Sequence, residues 1–332
     1  MKKSNEVIQK IFDLNSITPN ENMWVWWFWL FTFENPFNSE KPRQLAIMWS
    51  LKKDDNLSCN SLDVSMKRLI KKDGSIEAVV AAWYFDGEKM HENFLLNRTE
   101  LNQTSYGIKT PNPNTTFEFE DDTFRVVIDS NMEFEAKLEK GNKFTEPWFK
   151  SIKKFGRQVD MVGINKLDLK AKVNGKNLNG TAYFSKVSLK NVPAPSWYWG
   201  LFHFKNNRFL SYFNPYILKK SVIEGVTYYD GEMEHRFNNI KIKKEEGELP
   251  IFHITASDKD KKIEFSVETY SKAVWKFRKK KFKIIPINYN YNEYPSKVTN
   301  FKFTDLKNNR TITGKDIGIG IGNVEQTTGI LI

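Results

Sequence analysis

Met23-Trp24-Val25-Trp26-Trp27-Phe28-Trp29-Leu30-Phe31 is the stretch that decides how this chain folds. Aromatic and β-branched residues suit a pleated surface, so the stretch is expected to be a strand. Successive side chains of a strand point to opposite faces. Trp24, Trp26, Phe28 and Leu30 therefore share one face, and Trp27, Trp29 and Phe31 the other. A strand apolar on both faces must be covered on both. This predicts a sheet with a packed or ligand-filled interior and a second layer outside. Ser196-Trp197-Tyr198-Trp199-Gly200-Leu201-Phe202-His203-Phe204 repeats the pattern, and the two blocks hold six of the ten tryptophans.

Turn signals recur between alternating segments: Lys72-Asp73-Gly74, Phe85-Asp86-Gly87, Val173-Asn174-Gly175, Tyr229-Asp230-Gly231 and Leu306-Lys307-Asn308-Asn309. Asp-Gly and Asn-Gly between apolar alternations are the strongest short-range hairpin signal. The segments they separate include Ile76–Tyr84, Thr123–Ile128, Glu133–Leu138, Leu167–Val173, Thr181–Leu189, Ile251–Ala256, Lys262–Tyr270 and Lys297–Thr304. The expected class is all-β, antiparallel, in sandwiches or barrels. A chain of 332 residues suits two domains. Trp24-Val25-Trp26 followed by Tyr84-Phe85-Asp86-Gly87 is echoed by Trp197-Tyr198-Trp199 followed by Tyr228-Tyr229-Asp230-Gly231. The changeover is expected within Gly156–Asn174, giving units of 1–170 and 171–332.

Two helices are expected. Glu6–Leu14 is short. Thr145–Phe155 has Thr145 as a cap, Glu146 and Pro147 in the first turn, and Gly156 as a stop. Its stripe of Trp148, Phe149, Ile152 and Phe155 would cap a sheet, or serve as a lid or membrane-touching element.

Net charge is +11, yet only nine of the 51 basic residues are Arg. That favours a compositional bias over selected phosphate contacts. Nucleic acid is the least favoured partner, and peripheral contact with an anionic membrane stays open. The run Lys276-Phe277-Arg278-Lys279-Lys280-Lys281-Phe282-Lys283 is expected to be a solvated or lysine-protected edge strand. Met23–Phe33 is about half the length needed to cross a bilayer. The N-terminus lacks an apolar signal core, so a cytoplasmic location is expected. The single cysteine, Cys59, excludes an internal disulfide and a cysteine-clustered zinc site, and is expected to be unreactive.

The sequence lacks a phosphate loop, a His-Glu-x-x-His pair and a Gly-x-Ser-x-Gly elbow. Gly318-Ile319-Gly320-Ile321-Gly322 mimics a nucleotide loop without a following βαβ unit, so a closely packed terminal strand is expected. His91, His203, His235 and His253 form no local metal spacing, and neither metal nor cofactor is expected. His203 shares a strand face with Trp197, Trp199 and Leu201. It is either a structural histidine or a general acid at the end of an indole wall. Tyr228 and Asp230 share a face in turn. A carboxyl in an apolar cavity resists ionisation and could donate a proton, although Asp-Gly is also an ordinary hairpin turn.

Three stretches carry a family resemblance: Trp24–Phe33; Val173-Asn174-Gly175-Lys176 with Gly180-Thr181-Ala182-Tyr183 leading to Trp199-Gly200; and Gly322-Asn323-Val324-Glu325-Gln326-Thr327-Thr328-Gly329. The chain resembles the lipocalin-like group of carotenoid 1,2-hydratase (hydroxyneurosporene synthase) and AttH-like proteins and, distantly, tocopherol cyclase. The resemblance implies two lipocalin-like antiparallel β-barrel domains with a hydrophobic pocket near their junction. It implies hydration, cyclisation or isomerisation of terpenoid or polyketide ligands without metal or nucleotide. The hydratases use a His-x-Trp pair and a Tyr-x-Asp pair. Trp199 matches the tryptophan, and Tyr228 and Asp230 match the second pair, but Trp197 stands where the family histidine would be. The expected activity is therefore a cofactor-free cyclase, isomerase or hydratase acting on an isoprenoid-like molecule. Asp230 would be the acid and Tyr228 would assist, His203 could substitute for the missing family histidine, and Trp24, Trp26, Trp197 and Trp199 would line the pocket. The alternative is a lipid carrier without chemistry, which the missing histidine favours.

Overall fold

The computed structural model describes residues 2–13, 23–66, 76–139, 146–217, 220–221, 225–281 and 285–331. In chain order, α1 (Lys2–Phe12) precedes β1 (Met23–Phe33), β2 (Arg43–Lys52), β3 (Leu57–Cys59), β4 (Leu62–Asp63), β5 (Ile76–Phe85) and β6 (Met90–Thr104). Next come β7 (Gly107–Pro111), β8 (Asn114–Glu120), β9 (Thr123–Ile128), β10 (Met132–Lys137), β11 (Trp148–Lys154), β12 (Arg157–Val173) and β13 (Lys176–Lys190). The chain continues through β14 (Ser196–His203), β15 (Phe209–Ile217), β16 (Lys220–Ser221), β17 (Gly225–Tyr229), β18 (Glu234–Phe237) and β19 (Asn239–Glu245). It ends with β20 (Ile251–Ser257), β21 (Lys261–Thr269), β22 (Ala273–Lys281), β23 (Ile285–Asp305), β24 (Arg310–Thr313), the single turn α2 (Gly314–Ile317) and β25 (Gly320–Thr328).

The strands form two antiparallel sheets. The first runs β10-β9-β8-β7-β6-β5-β2-β1-β13-β12 and closes through pairing of β10 with β12, which makes a ten-stranded barrel. The second runs β18-β17-β15-β14-β25-β23-β21-β20-β19, with β22 and β24 on β23. The chain changes sheets between Lys190 and Ser196, so a division at 170/171 falls inside β12, a barrel strand. One excursion crosses back: β3 and β4, which follow β2 of the barrel, join the second sheet through Cys59 opposite Phe277 of β22.

The alternation of β1 explains the arrangement. Trp27, Trp29 and Phe31 point into the barrel. There the Trp29 ring lies 5.3 Å from Phe117, 5.4 Å from Phe124 and 4.8 Å from Phe184, and Phe31 stacks on Phe134 at 4.3 Å. The interior is filled by rings, and full burial of each contributes a few kcal/mol, roughly 2–3 per large apolar side chain. The opposite face meets the second sheet, with Trp24 against Phe277 at 6.2 Å and Tyr183 of β13 against Trp199 at 5.0 Å. The second sheet faces the barrel on one side. It curls on the other around its own core of Phe202, Tyr212, Tyr228, Phe252, Phe265 and Phe303.

The short N-terminal helix is present as α1. It buries Val7, Ile8, Ile11 and Phe12 over one end of the barrel. The helix C-terminus carries unsatisfied carbonyls. Trp27 Nε1 donates to the Ile11 carbonyl at 2.6 Å, and Lys186 Nζ donates to the carbonyls of Lys10 (2.8 Å) and Asp13 (2.7 Å).

The second expected helix is instead a strand. Residues 148–154 form β11, paired with β12 from Trp148 opposite Gly163 to Lys154 opposite Arg157. Phe155 (φ 50°) and Gly156 (φ 72°) make a two-residue turn with left-handed backbone. A Gly that stops a helix and a Gly in such a hairpin look alike in sequence. The partner strand decides, and Trp148 lies flat over Gly163, where a Cβ would come within 2.3 Å of the indole. Thr145 lies outside the described residues, as does Lys72-Asp73-Gly74. The lysine-rich run forms β22 as far as Lys281, but not at an edge, because β23 and β3 flank it. Gly320–Thr328 is the packed terminal strand expected. A Cβ on Gly322 would meet the Leu201 carbonyl oxygen at 1.7 Å. Cys59 is buried, which pushes its thiol up to about 12. No described helix is long and apolar enough to cross a membrane.

Candidate functional site

Strand β14 sorts the expected site residues. Trp197, Trp199, Leu201 and His203 face the barrel, while Tyr198 and Phe202 face the second core. Trp199 is opposite Phe213 on β15, and Tyr228 is opposite Leu210 on the same strand. Positions 213 and 210 differ by an odd number, so Tyr228 lies on the other face from Trp199. Tyr228 packs within the second core, 5.0 Å from Phe301 and 5.4 Å from Phe303, with its hydroxyl buried and unpartnered among the described residues. The tryptophans and the Tyr228–Asp230 pair therefore do not converge.

Asp230 closes the β17–β18 turn and is 2% exposed. Its Oδ1 accepts the backbone N–H groups of Glu232 (2.9 Å) and Met233 (2.8 Å). Its Oδ2 faces His235 Nε2 at 3.1 Å and accepts from Arg310 at 2.9 Å. Burial works to raise the carboxyl, but the bonds from Met233, His235 and Glu232 outweigh it and hold the group at about 2. This setting stabilises the anion, the reverse of the apolar cavity that a proton donor needs. A carboxyl ionised across the neutral range has no proton to give. Its geometry is that of a side chain pinning a hairpin.

His203 is also committed. Its Nε2 donates to the Asn165 carbonyl at 2.9 Å, and Nδ1 lies 3.1 Å from Thr181 Oγ1. Burial drives its pKa down to about 4, against the pull of the Asn165 carbonyl. A neutral imidazole with both nitrogens engaged bridges the two sheets and is not an acid in waiting.

The four tryptophans lie on the seam between barrel and second sheet. Trp24 donates Nε1 to Ser50 Oγ at 2.8 Å and sits 4.8 Å from Trp26. Trp197 packs edge-on to Tyr291 at 5.7 Å and beside Tyr289 at 6.2 Å. Trp24 and Trp197 are buried, and Trp26 and Trp199 are partly buried.

Two glutamates that the sequence reading passed over occupy this seam. Trp197 Nε1 donates to Glu325 Oε2 at 3.0 Å. Glu325 lies directly opposite Glu293 on β23, and Asn323 Nδ2 donates to Glu293 Oε2. Across four strands on one face runs the row Phe213, Trp199, Glu325, Glu293. Exposure falls along it from 38% at Phe213 to 8% at Glu325 and 1% at Glu293. Burial first, then the charge of Glu325, raises the Glu293 carboxyl well above its ordinary range. Burial raises Glu325 to about 7, opposed by hydrogen bonds with Trp197, Tyr291 and Glu293. Several buried polar atoms of this layer have no partner among the described residues: Glu293 Oε1, Asn323 Oδ1, Trp275 Nε1 and Gln44 Oε1. The signal in the sequence was an acidic residue on the aromatic face of each strand, Glu293 after Tyr289 and Tyr291, and Glu325 between Asn323 and Thr327. Their pairing depends on the register of two strands, which neither stretch declares.

A separate cleft of about 790 Å³ opens at the barrel end between α1 and Gln103–Ser105. Its lining of Glu6, Gln9, Lys10 and Asp13 is polar, unlike the seam. Among the described residues, no three His, Cys, Asp or Glu side chains gather at metal-binding spacing.

No protein-family model matches the chain, and no curated protein matches it in sequence. Solved structures do. One from Nitrosomonas europaea, provisionally described as an AttH, superposes with a TM-score of 0.60 over 98% of this chain and 96% of its own, at 11% identity. Likeness at that identity establishes a shared fold, and the protein has the AttH-like lipocalin architecture.

Proposed function

We propose that the protein binds an isoprenoid-like or other hydrophobic small molecule, without a cofactor, in the seam between the barrel and the second sheet. One observation carries this reading. Rings from both sheets form a layer that grades from exposed Phe213 to buried Trp197, and that layer holds several polar atoms without partners among the described residues. Buried polar groups are nearly always paired. Among the described residues the two cores also hold unpaired indole and phenol groups, at Trp29, Tyr212 and Tyr228, but the unpaired carboxyl and amide oxygens, those of Glu293, Asn323 and Gln44, all lie in the seam. A guest with an apolar body and one polar end would cover the rings and pair those atoms. The AttH-like fold supports the same reading.

Carriage and catalysis differ in the fate of the guest. For the Tyr228–Asp230 pair the anionic setting of Asp230 favours carriage. For the Glu293–Glu325 pair the raised carboxyls favour chemistry. Native mass spectrometry of the purified protein tests binding: a retained hydrophobic molecule is expected, lost in Trp199→Ala. Protein that emerges without bound lipid, and takes none up from a prenyl-lipid mixture, overturns the proposal.

A further inference from the structure

On the reading that the seam holds a hydrophobic ligand, we propose that Glu293 and Glu325 are an acid–base pair that moves a proton between two carbons of that ligand. The placement carries the inference. The two carboxyls are opposed on neighbouring strands, on the face that bears Trp197 and Trp199. Residues so opposed have Cβ atoms about 5 Å apart. Two carboxylates that close in an apolar layer repel one another and are poorly hydrated, so one proton stays with the pair. The titratable groups coupled to Glu325 from neighbouring elements are phenols: Tyr183 of the barrel, and Tyr212, Tyr289 and Tyr291 of the second sheet. Burial raises all four, so they stay neutral. The pair shares that proton: burial and the neighbouring carboxyl raise Glu293 well above its ordinary range, and burial pushes Glu325 up to about 7.

A second observation points to a guest. Asn323 is wholly buried and gives Nδ2 to Glu293, yet its Oδ1 has no partner among the described residues. Trp275, stacked on Tyr291 at 5.7 Å, has a buried Nε1–H without an acceptor among the described residues. Glu293 Oε2 accepts from Asn323, the same carboxyl also interacts with Tyr291 and Glu325, and its Oε1 has no hydrogen-bond partner among the described residues.

These groups fit an apolar molecule with one carbonyl and a carbon–carbon double bond one carbon removed from it. The Glu325 carboxylate takes the proton from the intervening carbon. The C–H electron pair becomes a new C=C bond, and the carbonyl π pair moves to oxygen, giving a dienolate. Glu293 donates a hydrogen bond to that oxygen, as a neutral carboxyl in an apolar site can. Glu325 then returns the proton to the far carbon of the original double bond, and the carbonyl re-forms. The product is the conjugated isomer. No atom is gained or lost, and no oxidant or reductant is needed.

The test uses the full chain and a cyclohex-3-enone bearing a dodecyl chain. Binding is read by native mass spectrometry, and conversion by the absorbance of the conjugated enone. Conversion by wild type should rise with pH through about 7, as the base ionises. Glu325→Gln should lose about 100-fold or more in rate while still binding, and Glu325→Asp should recover part of it. Infrared difference spectra should show a protonated carboxyl at neutral pH that disappears in Glu293→Gln. Wild-type rates in Glu325→Gln, or no such carboxyl band, overturn the inference. A probe that binds wild type but is not converted overturns the proton transfer and leaves the ligand reading standing. A probe that does not bind overturns the ligand reading and the inference with it.

Discussion

Trp199 and Tyr228 lie on opposite faces of one sheet, related through Phe213 and Leu210 of the strand between them. The aromatic seam and the Tyr228–Asp230 corner are therefore separate environments. One is a ring layer facing the barrel. The other is an ion-paired turn at the rim of the second core.

Asp230→Asn should leave ligand binding at the seam unchanged and cost stability. It weakens bonds from His235, Arg310 and two backbone amides inside a buried turn, a loss of about 1–3 kcal/mol. The folded carboxyl is held at about 2, below its ordinary 3.8. A depressed carboxyl contributes stability above its unfolded value and loses it as pH falls through the folded one. Denaturant titrations should show the variant's deficit shrinking between about pH 4 and pH 2. A deficit that stays constant there would contradict the assignment.

Glu325→Gln should have the opposite pH signature. The folded carboxyl is raised to about 7 from 4.5. A raised acid is fully compatible with the fold below its unfolded value and loses stability as pH rises through the folded one. Wild type should weaken between about pH 4.5 and pH 7, and the variant should weaken less. At pH 8 the variant should unfold at higher denaturant than wild type.

His203→Phe tests the inter-sheet bridge. The imidazole is lowered to about 4 from 6.5 by burial. Its stabilising effect is present above about pH 6.5 and is lost as pH falls through about 4. The substitution strands the Asn165 carbonyl and should cost about 1–3 kcal/mol at pH 7.5. Any conversion of a seam ligand should keep its wild-type pH profile. A displaced profile would return His203 to the chemistry.

Trp29→Ala and Trp199→Ala should separate stability from binding. Trp29 is wholly buried inside the barrel and contacts four phenylalanines. Its truncation should cost about 3–5 kcal/mol. Trp199 is only partly buried at the seam. Its loss should cost less in stability and weaken uptake of a prenyl lipid about tenfold or more, measured by tryptophan quenching. Equal stability losses in the two variants would argue that the seam is a permanent core.

The barrel was legible because its code is local. Alternation in Met23–Phe33 names both faces, and Asp86-Gly87 and Asn174-Gly175 name their hairpins. The 148–154 strand was not legible, since Phe155-Gly156 ends a helix or turns a hairpin equally well. The site was legible only in part. Trp24 and Trp26 on β1, and Trp197 and Trp199 on β14, were each assignable to a sheet face, because alternation decides a face locally. Glu293 and Glu325 become a pair only through the β23–β25 register, and Tyr228 leaves the tryptophans only through the parity of β15. Those are relations between distant segments, and no single segment encodes them.

The strap formed by β3 and β4 makes the molecule hard to divide. Residues 57–63 leave the barrel; β3 pairs with β22, across more than two hundred positions of chain, and β4 pairs with β3. A cut between Lys190 and Ser196 frees no intact half: the first fragment keeps a strap with nothing to grip, and the second exposes the flank of β22. A raw strand flank recruits other chains. Fragments made there should precipitate apart and recover their solubility when refolded together.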